Sequence, residues 1–458
     1  MQERTVQTDA EINSDLLNNV LKARSWYWPM VGFFAACLLA TAASWAVVIV
    51  MGLGVTGLNR PVMWGFFVTN FVFWIGISHA GVMLSAILRL SKAEWRRPAT
   101  RAAEVLTVFS LMVAASNIFM HIGRVWRLLY WALPYDFARG IWPNVRSALI
   151  WDPSAITTYL TGSILFVIVA LIPDLAVIRD RTTGFRHQIY SILALGWRGS
   201  PRQWKLQIIA GFLLSALLLP VFVSVHSIVS WDFAAAVSVE SWHSTIFAPY
   251  FVIGAVHSGV SGVVTVMIAM RYLYKWDKYV RPEHLDALGK LLIAIATAWF
   301  YFFVMEIMFS LYMLEGQEIA LRELQVFQWP FAPLFLIFIF ASYIIPVPLW
   351  LSKNVRRSPW AMFVTTILVN IGMWIERFLI VVPGLMRKQI FTFDWSSYSA
   401  SIFEVIMVTG TFAFVFLMML LFSKVFPLIP IFDIKEGQIL SDEIKIGRRS
   451  VPALKVEE

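Results

Sequence analysis

The chain has 458 residues, 59% of them apolar, 15% aromatic and only 14% charged, at a mean hydropathy of +0.71. A soluble domain carries about 25% charged residues, so a soluble globular protein is excluded. The net charge of +9 does not indicate a nucleic-acid partner, because the basic residues fall in short clusters between apolar runs and build neither a groove-facing helix nor an aromatic RNA platform. Cys37 is the single cysteine and lies in an apolar run. Disulfides, thiolate-held iron–sulfur clusters, Cys-x-x-Cys redox pairs and covalent c-type haem are therefore excluded within the chain.

A polar segment, 1–28, opens the sequence; with Glu3, Asp9, Glu11 and Asp15 it is too long and too acidic for a signal-peptide n-region. The first apolar run is thus expected to be a retained anchor helix. Runs of about 20 apolar residues cross about 30 Å of hydrocarbon as helices, and ten are present, at 29–51, 64–88, 101–122, 154–178, 206–229, 245–270, 288–312, 330–351, 360–383 and 402–426. They predict an all-α membrane protein with ten transmembrane helices. Ser200-Pro201 and Ser358-Pro359 mark the starts of helices 5 and 9 as N-cap and N1 pairs. Segment 123–153 mixes Arg124, Arg127, Arg139 and Arg146 with Trp126, Tyr130, Trp131, Tyr135, Trp142 and Trp151, and is expected to lie flat at the interface.

Orientation follows from the basic residues. The four loops after helices 2, 4, 6 and 8 hold 19 Lys and Arg, against eight in the five opposite loops, so both termini are expected in the cytoplasm. An internal repeat adds topology. Residues 75–82 (Ile-Gly-Ile-Ser-His-Ala-Gly-Val) and 253–260 (Ile-Gly-Ala-Val-His-Ser-Gly-Val) share five of eight positions at an offset of 178, and Trp64 matches Trp242 at the same offset. Both runs enter from the same side, which predicts two parallel four-helix bundles, helices 2–5 and 6–9, with a flanking helix at each end. The layout is then a cytoplasmic N-terminal segment 1–28, helix 1 at 29–51, a first bundle at 64–229, a second at 245–383, helix 10 at 402–426 and a cytoplasmic tail at 427–458.

Ionisable groups in hydrocarbon are costly and are functional candidates. Depth along the helices sorts them into two layers. An outer one holds His121, Arg124, Asp152, His226, Asp232, Glu240, His243, Glu306 and the adjacent Glu376 and Arg377; an inner one holds His79, His257 and Asp174. The outer set suits proton uptake and hydrogen bonding to a polar head group, although Arg124, Glu240 and His243 also fit a wet interface and Glu376-Arg377 a buried locking pair. His79, Asp174, His257 and Glu306 are candidates for a proton path; His79 and His257 equally suit interhelical hydrogen bonds, and Asp174 could snorkel to water. No second ligand stands at coordinating spacing, so no metal site is expected. Intrinsic b-type haem would need two histidines at similar depth on facing helices.

This pattern resembles the NrfD/polysulfide-reductase type of membrane subunit, and in its ten-helix form the quinol-binding subunit of bacterial alternative complex III. The residues that carry the resemblance are His79-Ala-Gly, Ile-Phe-Met-His121-Ile-Gly-Arg124, Trp151-Asp152-Pro153-Ser154 and Gly372-Met-Trp-Ile-Glu376-Arg377-Phe378; the Asn, His and Tyr set of the polysulfide-reductase quinone site is not matched. The resemblance implies a subunit of a respiratory or photosynthetic quinol oxidoreductase in the bacterial cytoplasmic membrane. It implies oxidation of quinol, as menaquinol, near the periplasmic face. It further implies electron delivery to a ferredoxin-like iron–sulfur subunit and c-type haem subunits beside a second NrfD-like membrane subunit, with no haem or cluster on this chain and coupling to proton translocation. Carried over, the quinol site comprises His121, Asp152, Asp232 and Arg377, with Glu376 beside them; His121 and Asp152 would accept the protons. A secondary transporter with parallel repeats, a haem-carrying membrane anchor and the sister subunit without a quinone site remain the alternatives.

Overall fold

The structure, a computed structural model, describes residues 8–147, 150–237, 239, 242–386, 397–439, 443–446 and 449–452. Its body is helical. Among the described residues, ten helices are long and apolar enough to cross a membrane: helix 1 Tyr27–Met51, helix 2 Phe66–Leu90, helix 3 Glu94–Ile122, helix 4 Trp151–Asp180, helix 5 Pro201–Ala236, helix 6 Phe247–Tyr274, helix 7 Pro282–Met313, helix 8 Phe331–Leu351, helix 9 Pro359–Met386 and helix 10 Ile402–Val425. Helices 3, 5 and 7 begin five to seven residues before the apolar runs that announced them, because hydropathy detects only the part in hydrocarbon while the helix continues into the interface. A proline stands at the start of the regular α-helix in each, Pro98 after the short turn Glu94–Arg96 of helix 3 and Pro201 and Pro282 as the first residues of helices 5 and 7. Ser200 caps helix 5 in a capping box with Gln203, and the Ser358 hydroxyl accepts from the Ala361 amide at 3.4 Å at the start of helix 9.

Helices 2 and 6 are the most enclosed, with 89% and 78% of their most apolar stretch buried, against 17% for helix 1. They pack on each other through the repeated octapeptides. A Cβ on Gly259 would come 2.9 Å from the Ala80 amide nitrogen and 3.2 Å from the Gly76 carbonyl oxygen, and one on Gly76 would meet Ser258 Oγ at 3.1 Å. Small residues allow this approach of two backbones. Around the pair, helix 2 touches helices 3, 5, 9 and 10, helix 6 touches helices 5, 7 and 9, helix 4 lies on 3 and 5, helix 8 on 7 and 9, and helix 1 on 10.

Three spans contain a wide π-type turn: Val82–Ile87 in helix 2, Asp232–Ala236 at the end of helix 5 and Phe340–Ile344 in helix 8. Segment 123–147 forms only short turns and the five-residue helix Leu128–Ala132, and exposes Trp126, Phe137 and Trp142, as suits an interface. Outside the membrane body, helix Asp9–Leu21 begins with a Thr8–Glu11 capping box and buries Ile12, Leu16, Leu17 and Val20. Tail helix Ile431–Ile439 docks on the basic ends of the spans. Glu436 meets Arg97 at 2.7 Å, Asp433 meets Arg96 at 3.6 Å, and Phe432 stacks on Trp204 with centroids 4.0 Å apart. Strand Glu443–Ile446 pairs antiparallel with Arg449–Pro452, a small departure from the all-α expectation that is confined to the tail.

The glycine contact gives a direct test. Gly259→Leu would drive a side chain into the backbone of helix 2, which cannot yield as a flexible side chain would; overpacking of this kind costs about 1–3 kcal/mol or more. Thermal unfolding in detergent should show a clearly lowered midpoint for the variant, and an unchanged one would contradict the packing described.

Candidate functional site

The face away from the basic loops is called outer below. At mid-depth, His79 is fully buried on helix 2. Its Nδ1 lies 2.7 Å from the Ile75 carbonyl one turn earlier, and its Nε2 3.1 Å from the Phe222 carbonyl on helix 5. A neutral imidazole has a single N–H and satisfies one of these acceptors at a time, so moving a proton through the ring changes which carbonyl it bonds. Next to it, the Ser78 carbonyl accepts from the Thr107 hydroxyl at 2.6 Å and the Tyr159 hydroxyl at 2.9 Å.

His226, also fully buried, stands edge-on to His79 with ring centroids 4.5 Å apart. Neither of its ring nitrogens has a hydrogen-bond partner of standard geometry. Depth counting along separate helices places His226 in the outer layer and His79 in the inner one; the packing of helix 5 on helix 2 brings them to one level. His257, the repeat partner of His79, directs Nε2 to the Ser342 carbonyl at 3.2 Å, inside the wide turn of helix 8, and stacks on Trp299 with centroids 5.7 Å apart.

Nearer the outer face, the carboxyl groups of Asp152, at the start of helix 4, and Asp232, in the wide turn ending helix 5, lie within hydrogen-bond reach of each other. Two carboxyls make such a contact favourably only with a proton held between them. Asp232 is 9% exposed, and apart from this mutual contact its two oxygens and Asp152 Oδ1 have no hydrogen-bond partner. His121 is half-buried, and its Nδ1 has no partner. Thus Asp152 is joined to Asp232, and His121 to neither.

Glu376 and Arg377 form an ion pair at 3.2 Å, each side chain 2% exposed. The pair lies within helix 9, and the links to its neighbours come through Glu376: Trp299 Nε1 donates to it at 3.0 Å from helix 7, and the Tyr250 hydroxyl donates to it from helix 6. The Arg377 guanidinium sits 4.7 Å over the Phe251 ring, a favourable cation–π placement, and fits because Gly254 has no Cβ, which would stand 2.7 Å from Nη2. Phe251 also approaches His226, with centroids 5.9 Å apart, and Phe233, the neighbour of Asp232 in sequence. Glu306, on helix 7, pairs with Arg322 at 3.5 Å.

Asp174 does not reach water. It is 1% exposed, pairs with Arg101 at 3.1 Å and accepts the Phe432 amide at 3.4 Å at the start of the tail helix. His243 and Arg124 are exposed, as a wet interface requires, and Glu240 lies outside the described residues. Tyr250, Trp299 and the facing of His226 on His79 are not legible in the sequence, since each is one aromatic in an apolar run until its neighbour is known. Sequence reasoning misses Asn70 as well: it donates to Asn117 at 3.1 Å and Thr411 at 2.9 Å and accepts from Trp374 at 3.3 Å, a satisfied network that ties helix 10 to helices 2, 3 and 9.

Residues 54–389 match the family described as polysulphide reductase, NrfD. The chain belongs to the NrfD family. Among curated relatives of this NrfD-family chain, a protein of Halobacterium salinarum named for the membrane component of a dimethyl sulfoxide reductase is 26% identical over 269 residues, covering 59% of this chain and 56% of that protein. This NrfD-family chain thus spans little more than half of that relative. The Hdr-like menaquinol oxidoreductase integral membrane subunit of Archaeoglobus fulgidus is 21% identical over 424 residues, covering 87% of this chain and 94% of that protein. The protein is therefore a multi-pass NrfD-family membrane protein related to subunits of redox complexes.

The ion pair on helix 9 predicts a particular pattern of stability in this NrfD-family protein. Removing one partner of a buried pair costs about 3–5 kcal/mol because the other charge is left uncompensated. Arg377→Met should therefore lower the unfolding midpoint in detergent more than the double variant Glu376→Gln/Arg377→Met does. Equal losses would show that the two side chains are not energetically coupled.

Proposed function

We propose that this chain is the quinol-handling membrane subunit of a redox complex of the alternative complex III type, oxidising menaquinol near the outer face. The observation that carries this reading is a set of buried polar atoms without a hydrogen-bond partner of standard geometry, His121 Nδ1, both His226 nitrogens and the Arg377 Nη2, together with the carboxyls of Asp152 and Asp232, which have only each other. Each such atom costs about 1–3 kcal/mol, and His226 and Arg377 adjoin an aromatic wall of Phe251, Phe233 and Trp242, with Asp232 next to Phe233 in sequence, which suits a flat apolar ligand with polar hydroxyls. The likeness to the menaquinol oxidoreductase subunit over nearly the whole of both chains supports the same substrate class.

Quinol oxidation releases two electrons and two protons. In this reading His121 and the Asp152–Asp232 pair accept protons, Glu376 and Arg377 bind the head group from the helix 9 side, and His79, His257, Asp174 and Glu306 belong to proton movement. The electrons pass to an iron–sulfur cluster of an adjacent ferredoxin-like subunit and on to c-type haem subunits, beside a second NrfD-like membrane subunit. Helices 2–5 and 6–9 form two parallel four-helix bundles flanked by helices 1 and 10, in a cytoplasmic membrane with both termini inside.

Two experiments test this. In the assembled complex, Asp152→Asn should lower the rate of menaquinol oxidation by roughly 100-fold, the scale of a lost general base, while the complex still assembles; full turnover would remove Asp152 from the chemistry and this reading with it. A green fluorescent protein fused to the C-terminus should fluoresce and an alkaline phosphatase fusion should be inactive, with the opposite pair of results reversing the orientation.

A further inference from the structure

Each quinol loses two protons, and one of them has a short way out. Asp152 is only half-buried, at the outer end of helix 4. Glu376 is different. It is 2% exposed, and its carboxylate is held by Arg377, the Trp299 Nε1–H and the Tyr250 hydroxyl. A guanidinium and an indole N–H are donors only. Of the three, only the phenol can accept a proton at oxygen while giving up another.

Tyr250 leads to a cavity. With Trp242, Phe303, Glu306, Arg322 and Glu376 it lines a partly open space of about 40 Å³ beneath the outer helix Gly316–Phe327, enough for about three water molecules at 10–15 Å³ each. Glu306 faces this space, 6% exposed, with no protein partner for Oε2. Arg322 is the most open of its charged groups, its side chain 20% exposed. It pairs with Glu306 at 3.5 Å and donates to Gln325 Oε1 at 3.1 Å, while the Gln325 amide is anchored on the Leu379 carbonyl at 2.8 Å. The outer helix thus holds a cation over the cavity by a chain of fixed contacts.

We propose that this cavity is a proton-release chamber for the helix 9 side of the quinol site, with Glu376 as the acceptor, Tyr250 and Glu306 as relay residues, and Arg322 at the mouth. The step balances. The Glu376 carboxylic acid gives its proton to the Tyr250 oxygen as the Tyr250 hydroxyl proton passes through cavity water to Glu306. One proton enters the phenol and one leaves, and no electron moves. From Glu306 the proton departs outward past Arg322. The inference rests on the quinol reading and extends it, turning Glu376 from a binding group into a second acceptor.

The test is quinol oxidation by the assembled complex, in H₂O and in D₂O, over a range of menaquinol-analogue concentrations. Tyr250→Phe keeps the ring and deletes only the oxygen. It should lower kcat at least roughly tenfold, leave KM within about twofold and enlarge the solvent isotope effect. Glu306→Gln, which touches neither Glu376 nor the head group, should act in the same direction, and the double variant should be little slower than Tyr250→Phe because the two residues act in series. Wild-type kcat and isotope effect in both single variants would overturn the chamber while the quinol reading stands, provided Asp152→Asn still slows turnover roughly 100-fold. Wild-type turnover in Asp152→Asn removes the reading itself. Should Tyr250→Phe fail to assemble, Glu306→Gln decides alone, an unchanged isotope effect counting against the chamber.

Discussion

Helices 2 and 6 lie backbone against backbone because Gly76 and Gly259 present no side chain at the crossing, and the placement of the polar groups follows from that contact. Two helices this close leave no room between them for other spans, so helices 5 and 9 settle into the flanking grooves and touch both. Helix 5 then carries His226 onto the ring of His79, and helix 9 carries Arg377 over Phe251 of helix 6. Without lipid-exposed backbone to distort, association in hydrocarbon depends on such close packing and on internal satisfaction of polar groups. The glycine contact meets the first demand and thereby decides which groups remain to meet the second.

Buried arginines show two ways of meeting it. Arg356 bonds Asp286 at 2.8 Å and the Leu351 carbonyl at 2.9 Å, and also reaches the Trp350 carbonyl; its charge is neutralised and its donors are used. Arg101 pairs with Asp174 and bonds the Ala170 carbonyl at 2.8 Å. Both stand toward the basic loops and join elements to one another. Arg377 has the ion pair to Glu376 but no hydrogen-bond acceptor of good geometry for Nη2. Arg101, too, leaves Nε and Nη1 without a hydrogen-bond partner, so of the three guanidiniums only that of Arg356 has no buried donor left over.

The span positions were legible because hydrocarbon imposes a length and a composition that a single sequence displays. The His79 and His257 repeat was legible because duplication copies residues. Pairing was not. Asp152 and Asp232 stand 80 positions apart on different helices, and nothing in either neighbourhood names the other. Tyr250 is one aromatic beside Phe247 and Phe251 until helix 9 brings Glu376 to its hydroxyl. The tail resisted for another reason: helix Ile431–Ile439 is short, and the acids that fix it, Asp433 and Glu436, find their arginines on helix 3.

Asp174 shows what that tail changes. A carboxylate one to two turns from the end of a span ordinarily finds water, yet here the tail helix covers it and its Phe432 amide hydrogen-bonds to the carboxylate. Lys435, on the same helix, reaches Asp9 of the N-terminal helix at 3.0 Å, so both ends of the chain close over the inner half. The outer half is more open, with Asp152 and Arg322 each partly exposed. On the proposed reading, a site that delivers protons to the outer side and electrons to a partner separates charge through the position of the chemistry alone. Beneath it, the buried Arg101–Asp174 pair joins helices 3 and 4 under the cover of the tail helix.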